Sequence, residues 1–324
     1  QSHEALSKVT LTVAKDHPAH RFLMLTMLKL GHIDELARVI EQYEGFYPHE
    51  STVLSKFADE MKGYGASENT VKLLEKALQL QPDNVQSKIQ LGVLKLLNNN
   101  AGGIKDLEEA QASNLEDRSA NLSLASAYLM NNDAKKANAV INVWLGEHPE
   151  DIAALLLKVE VMQAMNQPEV ALSLLKKAHN LAPKKLDITL ALAEQYVILA
   201  KYQQAQDALT LVQNSGEDSK KLYQLLFRVS IAVGEKEQFL TKLADLAKAK
   251  PSMQWPRVIL AQQSLIQQDA QQAVDWLATL SDDSELSADY FITILNSYYF
   301  LNDKDQMAEK AKRWQKITPN NLQS

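Results

Sequence analysis

The chain has 324 residues, 46% of them hydrophobic, with 34 Lys and Arg against 40 Asp and Glu and a net charge of −6. That is enough apolar material for a substantial core, and too acidic a balance for a surface devoted to phosphate, which argues against nucleic acid as the main ligand. No cysteine is present, so disulfides, thiolate metal sites and cysteine nucleophiles are excluded, while only 10 Gly and 9 Pro favour helices over tightly turned sheets.

In chain order, residues 1–16 read as the trailing helix of a truncated unit, and an internal period governs the rest of the chain. Pro48, Pro82, Leu115, Pro149, Pro183, Glu217, Pro251, Glu285 and Pro319 stand 34 residues apart, save one step of 33. Gly31, Gly65, Asn99, Asn132, Asn166, Ala200, Gly234, Gln268 and Asn302 keep the same step and share the same single deletion. Most of this second row is Gly or Asn, the residues that best tolerate the left-handed conformation ending a helix. The Pro row marks a second stop, because proline lacks the amide hydrogen and turns its predecessor away from helix. Units are therefore expected to start near 17, 51, 85, 118, 152, 186, 220, 254 and 288.

Each unit holds two apolar-periodic segments of helix length. From Leu186 onward, Leu190, Leu192, Ala193, Tyr196 and Val197 fall at helical spacing, and Ala205, Ala208, Leu209 and Val212 do so after Ala200. Every unit thus reads as a helical hairpin whose apolar faces are buried only by stacking on its neighbours. The expected fold is all-α, an α-α superhelix of about nine hairpins.

Leu192, Ala193, Tyr196, Tyr202, Ala205 and Leu209 resemble the large, small, aromatic, aromatic, small and large positions of the tetratricopeptide repeat. Ala171, Leu175, Ala178 and Pro183 are similar to the closing half of that signature, as are Ala77, Leu78, Leu80 and Pro82; Leu91-Gly92, Tyr128 and Tyr298 repeat its opening half. Phe239 and Met307 replace the small residue, so looser or shifted packing is expected around them. Segments 103–112 and 120–149 further resemble the long bacterial arrays of cell-envelope and exopolysaccharide systems, including those accompanying exosortase machinery. That resemblance implies a periplasmic or envelope setting.

Little in the chain suggests chemistry. His17 and His20, with His3 nearby, form the one histidine cluster, but Pro18 separates the pair and the three read as solvated histidines, so no metal or cofactor site is expected. His148 and His179 lie at helix ends, where imidazole suits the dipole. Gly63-Tyr64-Gly65 and Gly102-Gly103 lack the Lys-Ser or Lys-Thr pair of a phosphate loop and read as helix turns. Acid pairs such as Glu108-Glu109 and Asp282-Asp283 suit helix surfaces and starts, and no stretch is left over for a catalytic domain. No run reaches the roughly 18 apolar residues of a membrane-spanning helix.

The family resemblance implies that first helices line a concave groove. The ninth residues of successive units then form a ladder of Ser126, Glu160, Glu194, Arg228, Gln262 and Asn296, joined by Asp187, Lys221, Trp255 and Tyr299. The polar character of this row argues for a face turned to water or to a partner. Trp144, Trp276 and Trp314 fall on second helices and read as core, whereas Trp255 opens a first helix. The clamp that holds terminal carboxylates in one subclass of these proteins is missing, because Leu122, Ser126, Leu156 and Glu160 occupy its Lys and Asn positions. Glu160 and Glu194 before Arg228, and Asp187 before Lys221, should present negative and then positive charge to a bound segment. The expected function is a non-catalytic adaptor holding a protein or peptide in the groove, with envelope polysaccharide or a helper role beside an enzyme as alternatives.

Overall fold

The computed structural model describes residues 2–43, 54, 58, 68–280 and 286–317. Pro48, Gly63 to Gly65, Asp282, Asp283, Glu285, Pro319 and the unit start near 51 lie outside the described residues. The chain divides into two compact units, Gln1–Leu174 and Leu175–Ser324. The described residues form eighteen helices and no strand.

In the first unit these are α1 (Ser2–Thr10), α2 (Ala19–Leu30), α3 (Ile33–Gln42), α4 (Glu68–Leu80), α5 (Val85–Leu97), α6 (Gly103–Ser113), α7 (Arg118–Met130), α8 (Ala134–Glu147) and α9 (Ile152–Ala164). Helix α10 (Pro168–Leu181) contains the division. The second unit continues with α11 (Leu186–Ile198), α12 (Tyr202–Asn214), α13 (Lys220–Ala232), α14 (Lys236–Ala249), α15 (Gln254–Ile266), α16 (Ala270–Leu277), α17 (Ala288–Phe300) and α18 (Lys304–Ile317). Hairpin partners pack together, α5 on α6, α7 on α8, α11 on α12 and α15 on α16. Successive first helices also touch, α5 on α7 and α7 on α9 in one unit, and α11 on α13, α13 on α15 and α15 on α17 in the other.

The turn row has a single physical cause. Gly31, Asn99, Asn132, Asn166, Ala200, Gly234, Gln268 and Asn302 all have positive φ, from 54° at Ala200 and Asn302 to 79° at Gly234. At each turn the next residue donates its N–H back five residues, as from Asn100 to Lys95 O at 2.8 Å and Lys201 to Tyr196 O at 2.8 Å. The left-handed residue itself donates three back, as from Asn99 to Leu96 O at 2.9 Å. These two bonds are the Schellman pair that closes a helix on its own orphan carbonyls. Gly216, with φ 86°, adds a left-handed turn after α12 that the period does not demand.

Small residues set how closely the hairpins approach. Ala137, Ala171, Ala205 and Ala273 are fully buried at the same position of their units. A methyl on Gly103 would stand 2.2 Å from the Gly92 carbonyl, so α5 and α6 cross where only hydrogen fits. Phe239 takes the small position in its hairpin and stays half-buried beside a cavity of about 480 Å³ among α12, α13 and α14. Met307 is likewise half-buried, on a helix with no buried residue.

Six helix starts carry their own caps. Asn84, Asp117, Asp133, Asp151, Asp269 and Ser287 each accept from a backbone N–H of the first turn they precede. Helix α15 follows Met253, which offers no such oxygen, and its cap comes from the preceding repeat. The Asp218 carboxylate accepts from Gln254 N at 2.6 Å and Trp255 N at 3.1 Å.

Candidate functional site

The four ninth residues of the second unit lie on successive first helices, Glu194 on α11, Arg228 on α13, Gln262 on α15 and Asn296 on α17. Their backbones share one face because those helices touch in that order. Arg228 and Asn296 are exposed, and Glu194 and Gln262 are half-buried. Glu194, Lys221, Arg228 and Gln262 come together around a pocket of about 350 Å³, floored by Leu225, Phe227 and Ile259. Lys221 does not project as an isolated cation, since its Nζ stands 2.7 Å from the Glu194 carboxylate. The acid-to-base step therefore closes partly on itself, and the guanidinium of Arg228 has no ion-pair partner among the described residues. Gln262 Nε2 donates to Thr293 Oγ1 at 3.4 Å, linking α15 to α17.

Other ladder residues fall outside this pocket. Asp187 is exposed at the start of α11, and Tyr299 is 69% exposed beside Phe300, at 68%, near the end of α17. In the first unit Ser126 is half-buried on α7 and Glu160 exposed on the adjoining α9. Trp255 is engaged in structure: its N–H donates to Asp218, and its ring packs partly into the core with the Lys220 ammonium 5.9 Å from its centre. Lys220 also bonds both oxygens of Asp289 at 2.9 Å. Trp144 is 6% exposed, and Trp276 and Trp314 pack partly buried against the core.

Several buried polar groups lie off the ladder that the sequence singles out. Asp151 accepts from Arg118 Nε at 2.7 Å and Nη2 at 2.8 Å and from Trp144 Nε1 at 3.0 Å, besides capping α9. The Arg118 hydrogen bond is the main reason its carboxyl is held far below the usual carboxylate range. Asp218 goes the other way, because burial pushes its carboxyl up despite two backbone donors. Lys158 on α9 is buried and donates to Asn138 and Asn142 of α8, and burial lowers its ammonium's pKa. Arg257 is buried and donates to the carbonyls of Ala247, Pro251 and Trp276, satisfying the ends of α14 and α16. Such cations serve helix ends and amides rather than a ligand.

The histidines are arranged differently from their spacing. His17 Nδ1 accepts from Ala19 N at 3.1 Å, and His20 Nε2 lies 3.2 Å from Ala14 O with its ring 5.7 Å from that of Tyr43. His3 joins neither, and instead faces His32 and Glu35. No described helix is long and apolar enough to cross a membrane.

Against known proteins, the fold is that of tetratricopeptide-repeat proteins. A tetratricopeptide repeat protein from Parabacteroides merdae superposes with a TM-score of 0.53 at 15% identity, covering 76% of this chain and 92% of that one. The pilF product of Pseudomonas aeruginosa superposes at 0.52 with 15% identity, over 63% of this chain and 93% of that one. A family model described as ChAPs, Chs5p-Arf1p-binding proteins, matches residues 91–225. No curated protein sequence matches the chain.

Proposed function

We propose that the chain is a non-catalytic adaptor whose first-helix face holds an extended or helical segment of a partner protein. The observation carrying this reading is the pocket of about 350 Å³ on α11, α13 and α15, where apolar Leu225, Phe227 and Ile259 lie beneath Glu194, Lys221, Arg228 and Gln262. Apolar floor and polar rim together suit a peptide, whose side chains bury area while its backbone and charges find partners. The exposed Arg228 favours an acidic residue in the segment; Asp187 and Asn296 add polar groups on first helices of the second unit, and Ser126 and Glu160 do so separately within the first. The matched family, described by proteins that it binds, supports an interaction role. The bacterial-envelope setting rests on the sequence resemblance alone. For the polysaccharide alternative, Lys220 lies close to the Trp255 ring, which leaves stacking on a sugar to Tyr299 and Phe300.

The test is selection of displayed peptides on the intact chain, followed by binding to Arg228→Glu and Gln262→Ala. Enriched peptides should share acidic residues and lose affinity for Arg228→Glu, with a weaker loss at high salt than at low salt. Peptides that bind both variants unchanged would remove the pocket from the function. Oligosaccharide binding abolished by Tyr299→Ala, without peptide enrichment, would install the alternative.

A further inference from the structure

His3, His32 and Glu35 form, among the described residues, the one group of three or more metal-ligating side chains whose ligand atoms converge. His3 lies on α1, His32 is the residue immediately before α3, and Glu35 lies in the first turn of α3. One Glu35 carboxylate oxygen, Oε2, stands 3.6 Å from His3 Nε2 and 3.6 Å from His32 Nδ1. All three ligand atoms are within 4.8 Å of one another, and the two imidazole rings meet edge to face with centroids 5.0 Å apart.

These separations have a chemical meaning. Two ligands on a tetrahedral ion, each about 2.0–2.1 Å from the metal, stand roughly 3.3–3.5 Å apart. The two nitrogen-to-carboxylate distances are already close to that spacing, and 3.6 Å is too long for a good hydrogen bond. His3 Nε2 is shut off from solvent and has no hydrogen-bond partner. Each imidazole can turn a ring-nitrogen lone pair toward an ion held between it and the carboxylate, the role in which neutral histidine is the commonest metal ligand. His32 uses no side-chain atom to cap α3, which leaves its Nδ1 available. The His32 and Glu35 side chains are 44% and 51% exposed, so an ion has a path in and the imidazole has room to close on it.

We propose that His3, His32 and Glu35 bind a divalent cation of the zinc class, and that the bound ion pins α1 to the turn between α2 and α3. Two imidazoles and one carboxylate select zinc and its first-row neighbours over magnesium or calcium, which prefer all-oxygen shells. Three protein ligands leave a fourth position for water. The ion offsets the negative charge of Glu35 and gives α1, whose half-buried Leu6 packs against the core of the first hairpin, a second fastening. This inference is independent of the peptide-binding reading, since no residue is shared.

The experiment uses the full chain without a histidine tag and titrates it with zinc chloride by calorimetry at neutral pH, with cobalt as a spectroscopic substitute. One zinc per chain is expected, with visible cobalt bands of low coordination number and slower amide exchange in α1 when zinc is bound. His3→Gln, His32→Gln and Glu35→Gln should each weaken binding by more than the roughly 10–100-fold cost of losing an outer-shell partner. The double variant His17→Gln/His20→Gln should bind as the parent does. Glu35→Gln keeps the size of an exposed side chain, so its far-UV circular dichroism should match the parent and separate ligand loss from unfolding. No heat of binding with zinc in large excess, or unchanged binding in Glu35→Gln and His3→Gln, would overturn the proposal. So would loss of binding in the His17/His20 variant.

Discussion

Replacing Asp151 with alanine removes three roles at once. Its oxygens cap α9 through Ala153 N at 3.1 Å and Ala154 N at 3.3 Å, bind both arms of Arg118, and accept from Trp144 Nε1. The cap alone is worth about 1 kcal/mol. Trp144 is 6% exposed, and leaving its N–H unpaired costs about 1–3 kcal/mol, toward the low end because the neighbouring surface is open to water. The Arg118 side chain is 54% exposed, so its ion pair adds no more than about 1 kcal/mol. Asp151→Ala should therefore destabilise the first unit by about 2–4 kcal/mol, and Asp151→Asn, which keeps an acceptor for the cap, by about half as much. The pH dependence has a definite sign. Because the folded carboxyl titrates below its unfolded counterpart, its stabilisation is fully present above about pH 4 and is lost as pH falls toward the folded value. Urea midpoints by circular dichroism, with Trp144 fluorescence read in a background where Trp255, Trp276 and Trp314 are phenylalanine, should show the parent and Asp151→Asn converging as pH drops below about 4. If both substitutions stay within about 0.5 kcal/mol of the parent at neutral pH, the residue does not hold these partners together.

Asp218 should behave oppositely: its folded carboxyl is raised by burial, so its contribution is greatest in acid and is lost as pH rises through the folded value. Asp218→Asn is expected to be neutral or stabilising at pH 7, while Asp218→Ala loses the cap of α15 and about 1 kcal/mol; an asparagine as costly as the alanine in urea titrations would refute the burial argument. Ala200 holds φ 54°, a conformation costing about 1–2 kcal/mol with a β-carbon, so Ala200→Gly should gain about 0.5–1 kcal/mol after the extra chain entropy of glycine. Gly234→Ala, at φ 79° with nothing within 4 Å of the added methyl, should lose about 1 kcal/mol; equal thermal midpoints for the two proteins would show that the left-handed turns do not limit stability.

What was legible in the sequence depended on how local its cause is. A left-handed helix end is decided by one residue and the two bonds around it, so Asn99, Asn132 and Asn166 announce themselves, and the period then carries Ala200 and Gln268, which no propensity would place there. Helices begin at Val85, Arg118, Ile152, Leu186, Lys220, Gln254 and Ala288 because the residue before each stops the preceding turn at a repeating distance. The bonds between repeats are harder to see, although the period contains their signal. Arg118 and Asp151 are 33 positions apart, as are Gln254 and Ser287, whose N–H donates to Gln254 Oε1 at 2.7 Å. Residues one repeat apart, less one, meet at the starts of neighbouring first helices, and a search for complementary pairs at that offset would have found both. The His3, His32 and Glu35 group carries no such signal, since it depends on where α1 rests rather than on the repeat.

A repeat reveals some things about a partner and conceals others. Positions held by packing, such as Ala137, Ala171, Ala205 and Ala273, are determined by neighbours and would be the same for any ligand. Information about a ligand can reside only where packing leaves the choice of residue open or where the repeat is broken. On the second unit's first-helix face, Arg228 is exposed and, among the described residues, unpaired, while Lys221 is committed to Glu194 and Lys220 to Asp289. Of three neighbouring cations on α13, two serve the array itself, and the third offers its charge outward over an apolar floor. A partner that recognises this array by charge must therefore answer to Arg228 first, which is why its reversal, rather than removal of either lysine, discriminates between a binding face and a merely solvated one.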